Sequence, residues 1–247
     1  EDYIKYHTLA LKIKSAFNAK YLNDTTAIYG SGLQTELSVP LFWGLVPDSM
    51  KSKVAANLAK RIEADSIKLD VGLLGTKAIL NALSENGYAD LAYKLAANEE
   101  FPSWGWWIKN GATTLYENWP IDAKSDISLN HIMFGEIGAW MYKALGGIKP
   151  NPDSPGFENI LLQPYFVDGL NQFSAAHESP YGIIKSSWKR DGKKIIYTVT
   201  IPPNSTGSLI LHVKNKQAVY IGGLKQNITN NVYAQSIGAG TFTFEIK

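Results

Sequence analysis

The stretch Lys149-Pro150-Asn151-Pro152-Asp153-Ser154-Pro155-Gly156 is where the character of the sequence changes. Its prolines and glycine disfavour both helix and strand, as in a boundary between domains. Before it, apolar residues recur at helical spacing. After it, they alternate with polar residues, and β-branched residues dominate. The sequence therefore predicts a helical domain over 1–152 and a β domain over 153–247.

The part before the boundary contains about six segments of helical character, in which apolar residues lie three or four positions apart. Loops rich in glycine and aromatic residues separate these segments. The predicted helices are the stripe Tyr6 to Tyr21, a shorter segment over 35–45, the stripe Val54 to Ile62 with Asp48 as N-cap, the stripe Leu73 to Leu83, and segments over 88–97 and 129–145.

The part after the boundary shows the two-residue alternation of half-buried strands, and Asp191-Gly192 is a strong hairpin signal. Short strands at this spacing predict an antiparallel sandwich. The predicted strands cover 159–163, 183–188, 194–201, 208–213, 218–221 and 241–246.

Composition excludes several classes of function. The net charge is only +2, without a run of like charges, so a nucleic-acid partner is not expected. Cysteine is absent, and the four histidines do not stand at metal-ligand spacing, so neither a disulfide, a metal nor a cofactor is predicted. No run of about 18 apolar residues exists, so no membrane-spanning helix is predicted.

The segment 102–119 is the densest aromatic stretch, with four of the seven tryptophans and a single carboxylate, Glu117. Sugar rings stack their C–H faces on indoles, and a carboxylate desolvated by such rings is a candidate for proton transfer. Glycines and prolines predict that the segment is a loop, where function often resides. The alternative is that the tryptophans anchor a core and that Glu117 caps or pairs with a neighbour.

A series of short motifs follows in order along nearly the whole chain: Gly32-Leu-Gln34-Thr35, Gly44-Leu-Val46-Pro47, Asp70-Val-Gly72-Leu-Leu-Gly75-Thr76, Pro102-Ser-Trp104-Gly105, Gly111-Ala-Thr-Thr114-Leu-Tyr116-Glu117-Asn-Trp119, Ser128-Leu-Asn130-His131-Ile-Met-Phe134-Gly135, Gly147-Ile-Lys-Pro150, Pro155-Gly156-Phe157 and Ser179-Pro180-Tyr181-Gly182. In this series the chain resembles the bacterial α-L-rhamnosidases. The resemblance implies the C-terminal half of an (α/α)6 toroid followed by the C-terminal β-sandwich of that family.

The resemblance also implies an inverting mechanism, in which a carboxylic acid protonates the leaving oxygen and an opposing carboxylate activates water. Glu117 matches the water-activating glutamate and is the predicted general base. His131 matches a sugar-contacting histidine, while Trp104 and Trp119 are predicted pocket walls. Tyr116 stands where the family usually has tryptophan and is a further candidate for substrate binding. The general acid is expected upstream, in the half of the toroid outside this sequence.

We therefore expect the C-terminal part of an enzyme that releases terminal α-L-rhamnose from glycans or glycosides and is inactive without its upstream half. A rhamnose-containing carbohydrate is the expected partner, and the compartment is expected to be periplasmic or extracellular. Another toroidal glycosidase, a polysaccharide lyase and a carbohydrate-binding module are the alternatives. Six of the seven tryptophans precede the boundary, which favours the helical part as the site.

Overall fold

The computed structural model describes residues 2–122, 127–214 and 217–247. The chain divides into two compact units, Glu1–Ile137 and Gly138–Lys247, which we call the helical unit and the β unit. The predicted order, helices followed by a β-sandwich, is confirmed. The first strand of the four-stranded sheet, Ile148–Pro150, lies before most of the proline-rich stretch and already pairs with Asn159–Leu162.

The α-helices differ widely in burial. Helix α4 (Leu73–Glu85) is buried on nearly every side from Gly75 to Ser84, as expected of a helix at the centre of a helical layer. Helix α2 (Gln34–Phe42) packs against α4 and α3 (Lys51–Ala64). The helices are α1 (Asp2–Tyr21), α2 (Gln34–Phe42), α3 (Lys51–Ala64), α4 (Leu73–Glu85), α5 (Ala89–Ala96), α6 (Trp104–Lys109) and α7 (Glu136–Trp140), with 3-10 turns at Asp48–Met50 and Ile132–Phe134 and a π-helical turn at Met141–Leu145.

Helix α1 buries none of its residues. Its predicted apolar stripe is present but exposed: Tyr6, Leu9 and Ile13 are 60%, 48% and 55% accessible. Polar contacts hold its C-terminal half, where the amide of Asn18 donates to the carbonyl of Leu45 at 2.9 Å and accepts from the phenol of Tyr29 at 2.5 Å. The N-terminal part of the stripe is therefore exposed, whereas Phe17 near its C-terminal end packs against the buried ring of Tyr29, with centroids 5.7 Å apart.

Three predictions for the helical part were wrong in detail. The segment predicted as a loop contains α6, because the hydroxyl of Ser103 accepts the Trp106 N–H at 2.9 Å and caps a short helix. The single helix predicted over 129–145 is three short pieces, since Gly135 lowers helical propensity where the first piece ends. Asp48 is not a side-chain cap; it forms an exposed ion pair with Lys51 at 2.8 Å.

The β unit contains a six-stranded and a four-stranded sheet, with strand orders β10-β9-β12-β7-β6-β5 and β11-β8-β4-β3. Strands β4 and β8 run parallel, so the smaller sheet is mixed. The strands are β3 (Ile148–Pro150), β4 (Asn159–Leu162), β5 (Gln172–Ser179), β6 (Gly182–Asp191), β7 (Lys194–Ile201), β8 (Thr206–His212), β9 (Val219–Ile221), β10 (Leu224–Lys225), β11 (Val232–Ile237) and β12 (Gly240–Ile246); β1 (Leu22–Asn23) and β2 (Ile28–Tyr29) form a small hairpin in the helical unit.

The inner faces of the two sheets share one hydrophobic core, as in a sandwich. Ile160 and Leu211 contribute from the four-stranded sheet, and Trp188, Tyr197 and Phe244 contribute from the six-stranded sheet. Alternation along β7 places every second residue from Ile195 to Ile201 in this core, which explains why period two predicted the strand.

The π-helical turn joins this sandwich through two consecutive glycines. The carbonyl of Leu145 accepts the Trp188 indole N–H at 2.9 Å, and the carbonyl of Gly146 accepts the Ser186 hydroxyl at 2.5 Å. Gly147 has a φ of +69°, and a Cβ at this position would lie 2.2 Å from the backbone nitrogen of Pro164. A side chain is therefore excluded at Gly147 by both conformation and space.

Candidate functional site

Two segments of the helical unit pair side by side and carry Glu117 and His131. The backbone N–H of Glu117 donates to the carbonyl of Ser128 at 3.0 Å, and that of His131 donates to the carbonyl of Leu115 at 2.8 Å. The hydroxyl of Thr114 also donates to the carbonyl of Leu129. The pairing brings together two residues that stand fourteen positions apart in the sequence.

The carboxylate of Glu117 is half-buried and held at one oxygen. Its Oε2 accepts the backbone N–H of Ser128 at 2.8 Å, a charge-assisted hydrogen bond that fixes the direction of the group. Within the described part of the chain, the structure records no polar partner for Oε1. The carboxylate is thus oriented by the protein and keeps one oxygen for a water or a ligand.

The imidazole of His131 is oriented in a similar way. Its Nδ1 accepts the backbone N–H of Met133 at 3.0 Å and caps the 3-10 turn Ile132–Phe134. An accepting Nδ1 carries no proton, so the neutral ring has its proton on Nε2. The partly exposed ring therefore presents an N–H donor on the side away from the cap.

An aromatic cluster lies beside these two segments and consists of Trp104, Trp107, Tyr116, Trp119 and Phe134. The ring centroids of Trp119 and Phe134 are 4.2 Å apart, those of Trp107 and Trp119 are 4.8 Å apart, and those of Trp104 and Trp119 are 5.4 Å apart. Exposure divides the cluster: Trp104, Trp107 and Tyr116 are 5%, 2% and 8% accessible, whereas Trp119 is half-buried.

Three tryptophans of the cluster each donate their indole N–H to a backbone carbonyl. Trp104 donates to Phe134 at 3.0 Å, Trp107 donates to Trp119 at 2.7 Å, and Trp119 donates to Val71 at 3.3 Å. Buried indoles normally find such partners, because an unpaired N–H in a core is destabilising. These bonds connect α6 and the loop before α4 to the two paired segments.

The structure brings all five predicted site residues into one region of the helical unit. Two of them, Tyr116 and Glu117, are consecutive in the sequence. The buried tryptophans of the aromatic stretch anchor a core, as the alternative interpretation predicted, and the carboxylate of Glu117 lies at the edge of that core. Sequence reasoning missed the contribution of Ser128, although the Ser-Leu-Asn-His motif contains it. It also missed the indole of Trp107 as a hydrogen-bond donor.

Glu136, the carboxylate that follows the 3-10 turn, is engaged by two side chains. It accepts the amide of Asn81 at 3.0 Å, while the ammonium of Lys77 lies 3.5 Å from its second oxygen. Among the described residues, no group of three or more histidines, cysteines or carboxylates could hold a metal ion. Over the same residues, no helix combines the length and apolar character needed to cross a membrane.

Two family models match the chain. The bacterial alpha-L-rhamnosidase 6 hairpin glycosidase domain matches residues 1–145, and the bacterial alpha-L-rhamnosidase C-terminal domain matches residues 147–223. An alpha-L-rhamnosidase from Formosa agariphila is 30% identical over 93% of this chain and 25% of its own length. One from Streptomyces avermitilis is 27% identical over 100% of this chain and 24% of its own length.

Solved structures agree with these matches. An alpha-L-rhamnosidase structure from Dictyoglumus thermophilum has a TM-score of 0.87 at 30% identity and covers 100% of this chain and 29% of its own. The Streptomyces avermitilis alpha-L-rhamnosidase complexed with L-rhamnose also has a TM-score of 0.87, at 27% identity, covering 99% of this chain and 24% of its own. The chain spans about a quarter of the length of the curated relatives it matches. The resemblance found in the sequence is confirmed.

Proposed function

The chain belongs to the bacterial α-L-rhamnosidases, and on that premise we propose that it is the C-terminal part of an inverting glycoside hydrolase that releases terminal α-L-rhamnose. The substrate class is a rhamnose-bearing glycan or glycoside. The family model that matches the helical part is that of a glycosidase domain, which favours hydrolysis over the lyase and binding-module alternatives.

The proposal assigns Glu117 as the general base, and the hydrogen bond from the Ser128 N–H is the observation that carries it. A base that activates water needs a carboxylate of fixed direction with one oxygen open to that water. The 2.8 Å bond to Oε2 supplies the direction, and Oε1 supplies the open oxygen. As the water oxygen bonds to the anomeric carbon, the bond from that carbon to the leaving oxygen breaks; Glu117 takes the water proton and the general acid protonates the leaving oxygen.

The other site residues are proposed to bind the sugar. His131 offers its Nε2–H to a sugar hydroxyl, because Nδ1 is already engaged by Met133. Trp119 is half-buried and offers a ring to the C–H face of the sugar. Trp104 and Tyr116, predicted from the sequence to bind substrate, are 5% and 8% accessible, so we assign them a supporting position, Trp104 against Trp119 and Tyr116 against Trp107.

The general acid is proposed to come from the upstream part of the same polypeptide. Inverting cleavage requires it to protonate the leaving oxygen at a carboxyl separation of about 6.5–9.5 Å from the base. The chain covers only a quarter of its curated relatives, so most of the enzyme lies outside it. Upstream helices are also the proposed cover of the exposed stripe on α1. We further propose that the whole enzyme is periplasmic or secreted, which export of the full-length gene product would test.

The test of the base is Glu117→Gln in the full-length enzyme, assayed by colour release from an aryl α-L-rhamnoside. The amide keeps the shape of the side chain but cannot accept a proton, so kcat should fall by about 10² to 10⁴ with KM nearly unchanged. Glu63→Gln, on the exposed side of α3, is the matched control and should keep the full rate. A Glu117→Gln enzyme with most of its rate would remove Glu117 from the mechanism.

The upstream position of the acid has a separate test. This chain, purified alone, should not hydrolyse the same rhamnoside, because only one of the two required carboxylates is assigned to it. The Glu117→Gln form of the chain serves as the control for contaminating activity. Turnover that this substitution abolishes would place the second carboxylate within the chain and overturn that part of the proposal.

A further inference from the structure

Trp104 and Trp107 lie three positions apart on α6, so their side chains project from the same side of the helix. Each indole N–H donates to a different segment of the site. Trp107 binds the carbonyl of Trp119 at 2.7 Å, two residues after Glu117. Trp104 binds the carbonyl of Phe134 at 3.0 Å, three residues after His131.

We infer that Trp104 and Trp107 are positioning residues, whose indole N–H groups fix the segments that carry Glu117 and His131 relative to α6. The inference rests on the proposed function of those two residues. The two tryptophans then act by hydrogen bonding to backbone carbonyls of these segments, and not by contact with the sugar.

Helix α6, which carries both tryptophans, is itself held in place by close contacts. Gly105, between the two tryptophans, allows α6 to approach the preceding chain closely, since a Cβ there would lie 2.3 Å from the carbonyl oxygen of Asn98. Asn98 in turn donates its side-chain amide to the carbonyl of Ile67 at 2.7 Å. Helix α6 is thereby held against the backbone on one side and presents its two donors on the other.

Packing alone does not account for the choice of tryptophan at these positions. At 5% and 2% accessibility both indoles are removed from water, and each satisfies its buried N–H on a carbonyl of the site. Trp106, on the same helix, contrasts with them: it is half-buried, packs its ring edge-on against Phe101 at 4.9 Å, and has no recorded acceptor for its indole N–H within the described chain.

The consequence for the reaction follows from the geometry that a general base requires. A displacement of about 1 Å at a reacting group can lower a rate by about 10²-fold. Two backbone hydrogen bonds, the Thr114 hydroxyl and the Ser128 contact join the paired segments to each other, whereas the indole of Trp107 joins the Glu117 segment to α6. Removal of this donor should therefore lower kcat more than it raises KM.

The experiment uses the full-length enzyme with Trp107→Phe and Trp104→Phe, and Trp106→Phe as the matched control. Trp107→Phe should lower kcat between about tenfold and 10²-fold with KM changed less than about twofold. Trp104→Phe, which acts through the His131 segment, should raise KM as well. Trp106→Phe should leave both constants unchanged.

A double-mutant cycle distinguishes positioning from a general loss of structure. In a Glu117→Gln background, Trp107→Phe should have little further effect on kcat, because the group it positions no longer accepts a proton. Full additivity, or equal losses for Trp106→Phe and Trp107→Phe, would overturn the inference. Retention of most of the rate by Glu117→Gln alone would instead contradict the proposed function.

A second variant addresses the donor directly if Trp107→Phe fails to fold. Benzothienylalanine at position 107 keeps the bicyclic shape of indole and replaces its N–H with sulfur. A folded enzyme with this residue and a reduced kcat would support the inference, whereas an unchanged kcat would refute it.

Discussion

The two units bury different kinds of side chain. The β unit has an apolar core shared by its two sheets, and its buried polar residues are Ser179, Ser186 and Ser205. The helical unit buries larger and more varied polar side chains, namely Gln34, Ser38, Thr76, Asn81, Ser84 and Ser103. The sandwich is therefore specified by alternation of apolar residues, whereas the loops around the site depend on individual side-chain hydrogen bonds.

Gln34 is the clearest case of such a bond network. Its amide nitrogen donates to the carboxylate of Asp65 and to the carbonyl of Lys68, both at 2.8 Å, and its amide oxygen accepts the Asp70 N–H at 3.0 Å. The next carbonyl along the loop, that of Val71, accepts the indole of Trp119. One fully buried amide therefore supports the loop on which a predicted sugar-binding ring rests.

Phe244→Ala should produce the largest loss of stability and would sharpen the contrast. Phe244 is 1% accessible and lies between the rings of Tyr197 and Tyr233, with centroids 6.1 and 6.2 Å away. The free energy of unfolding should fall by about 3–5 kcal/mol because the cavity cannot close fully. Urea denaturation of the chain measures this fall, and Thr243→Ala on the exposed face of the same strand is the control. A loss below about 1 kcal/mol would contradict a close-packed core.

Gln34→Leu should produce a smaller loss of stability, and that loss should be concentrated near the site. Removal of the amide leaves buried backbone groups of the loop unpaired, which destabilises by about 1–3 kcal/mol. Hydrogen exchange should increase over residues 65–71 and around Trp119, with little change in the β unit. Gln172→Leu, on the exposed face of β5, is the matched control. Uniform exchange throughout the helical unit would show that the network does not act locally.

Alkaline pH should give the smallest effect, because stability should change little near neutrality and the two units should differ only above about pH 10. Burial, with a smaller contribution from Asp24, raises the pKa of Tyr29 to about 12. Burial also raises the pKa of Tyr197 and of Tyr233 in the β unit. A pKa raised in the folded state stabilises the fold below the unfolded value of about 10, and that stabilisation is lost as pH rises above it.

Since two of these tyrosines lie in the β unit and one in the helical unit, hydrogen exchange between pH 10 and 12 should increase more in the β unit. Tyr197→Phe should reduce that pH dependence, and Tyr29→Phe should reduce the corresponding dependence in the helical unit. An equal response of the two units to alkaline pH, unaffected by Tyr197→Phe, would contradict the assignment.

The sequence predicted the elements whose periodicity is strong, such as α3, α4, β6 and β7. It missed β5, whose outward residues Ser174 and Ala176 alternate with inward Ala175 and His177 and thus give little contrast in polarity. The parallel pairing of β4 with β8 depends on residues nearly fifty positions apart and has no local signal.

The candidate site was predictable only in part, for a related reason. Glu117 and His131 could be named through motifs that resemble a family, whereas the pairing of the segments that carry them, through two backbone hydrogen bonds, was not predicted. The Ser128 N–H and the indole donors of α6 could not be predicted, because each depends on where a distant carbonyl or carboxylate lies after folding. A local sequence pattern contains no information about such a distant partner.

Gly147, which follows the π-helical turn, limits how the sequence can vary among homologues. A Cβ at Gly147 would meet the backbone of Gln163 and Pro164 rather than a movable side chain. A larger residue at position 147 therefore could not be accommodated by a change of rotamer at position 163 or 164. Evolutionary drift at Gly147 would require the segment around Pro164 to change its path in the same step. Homologues should therefore keep glycine there while residues around it diverge, and any that lost it should also carry an insertion or deletion near Pro164.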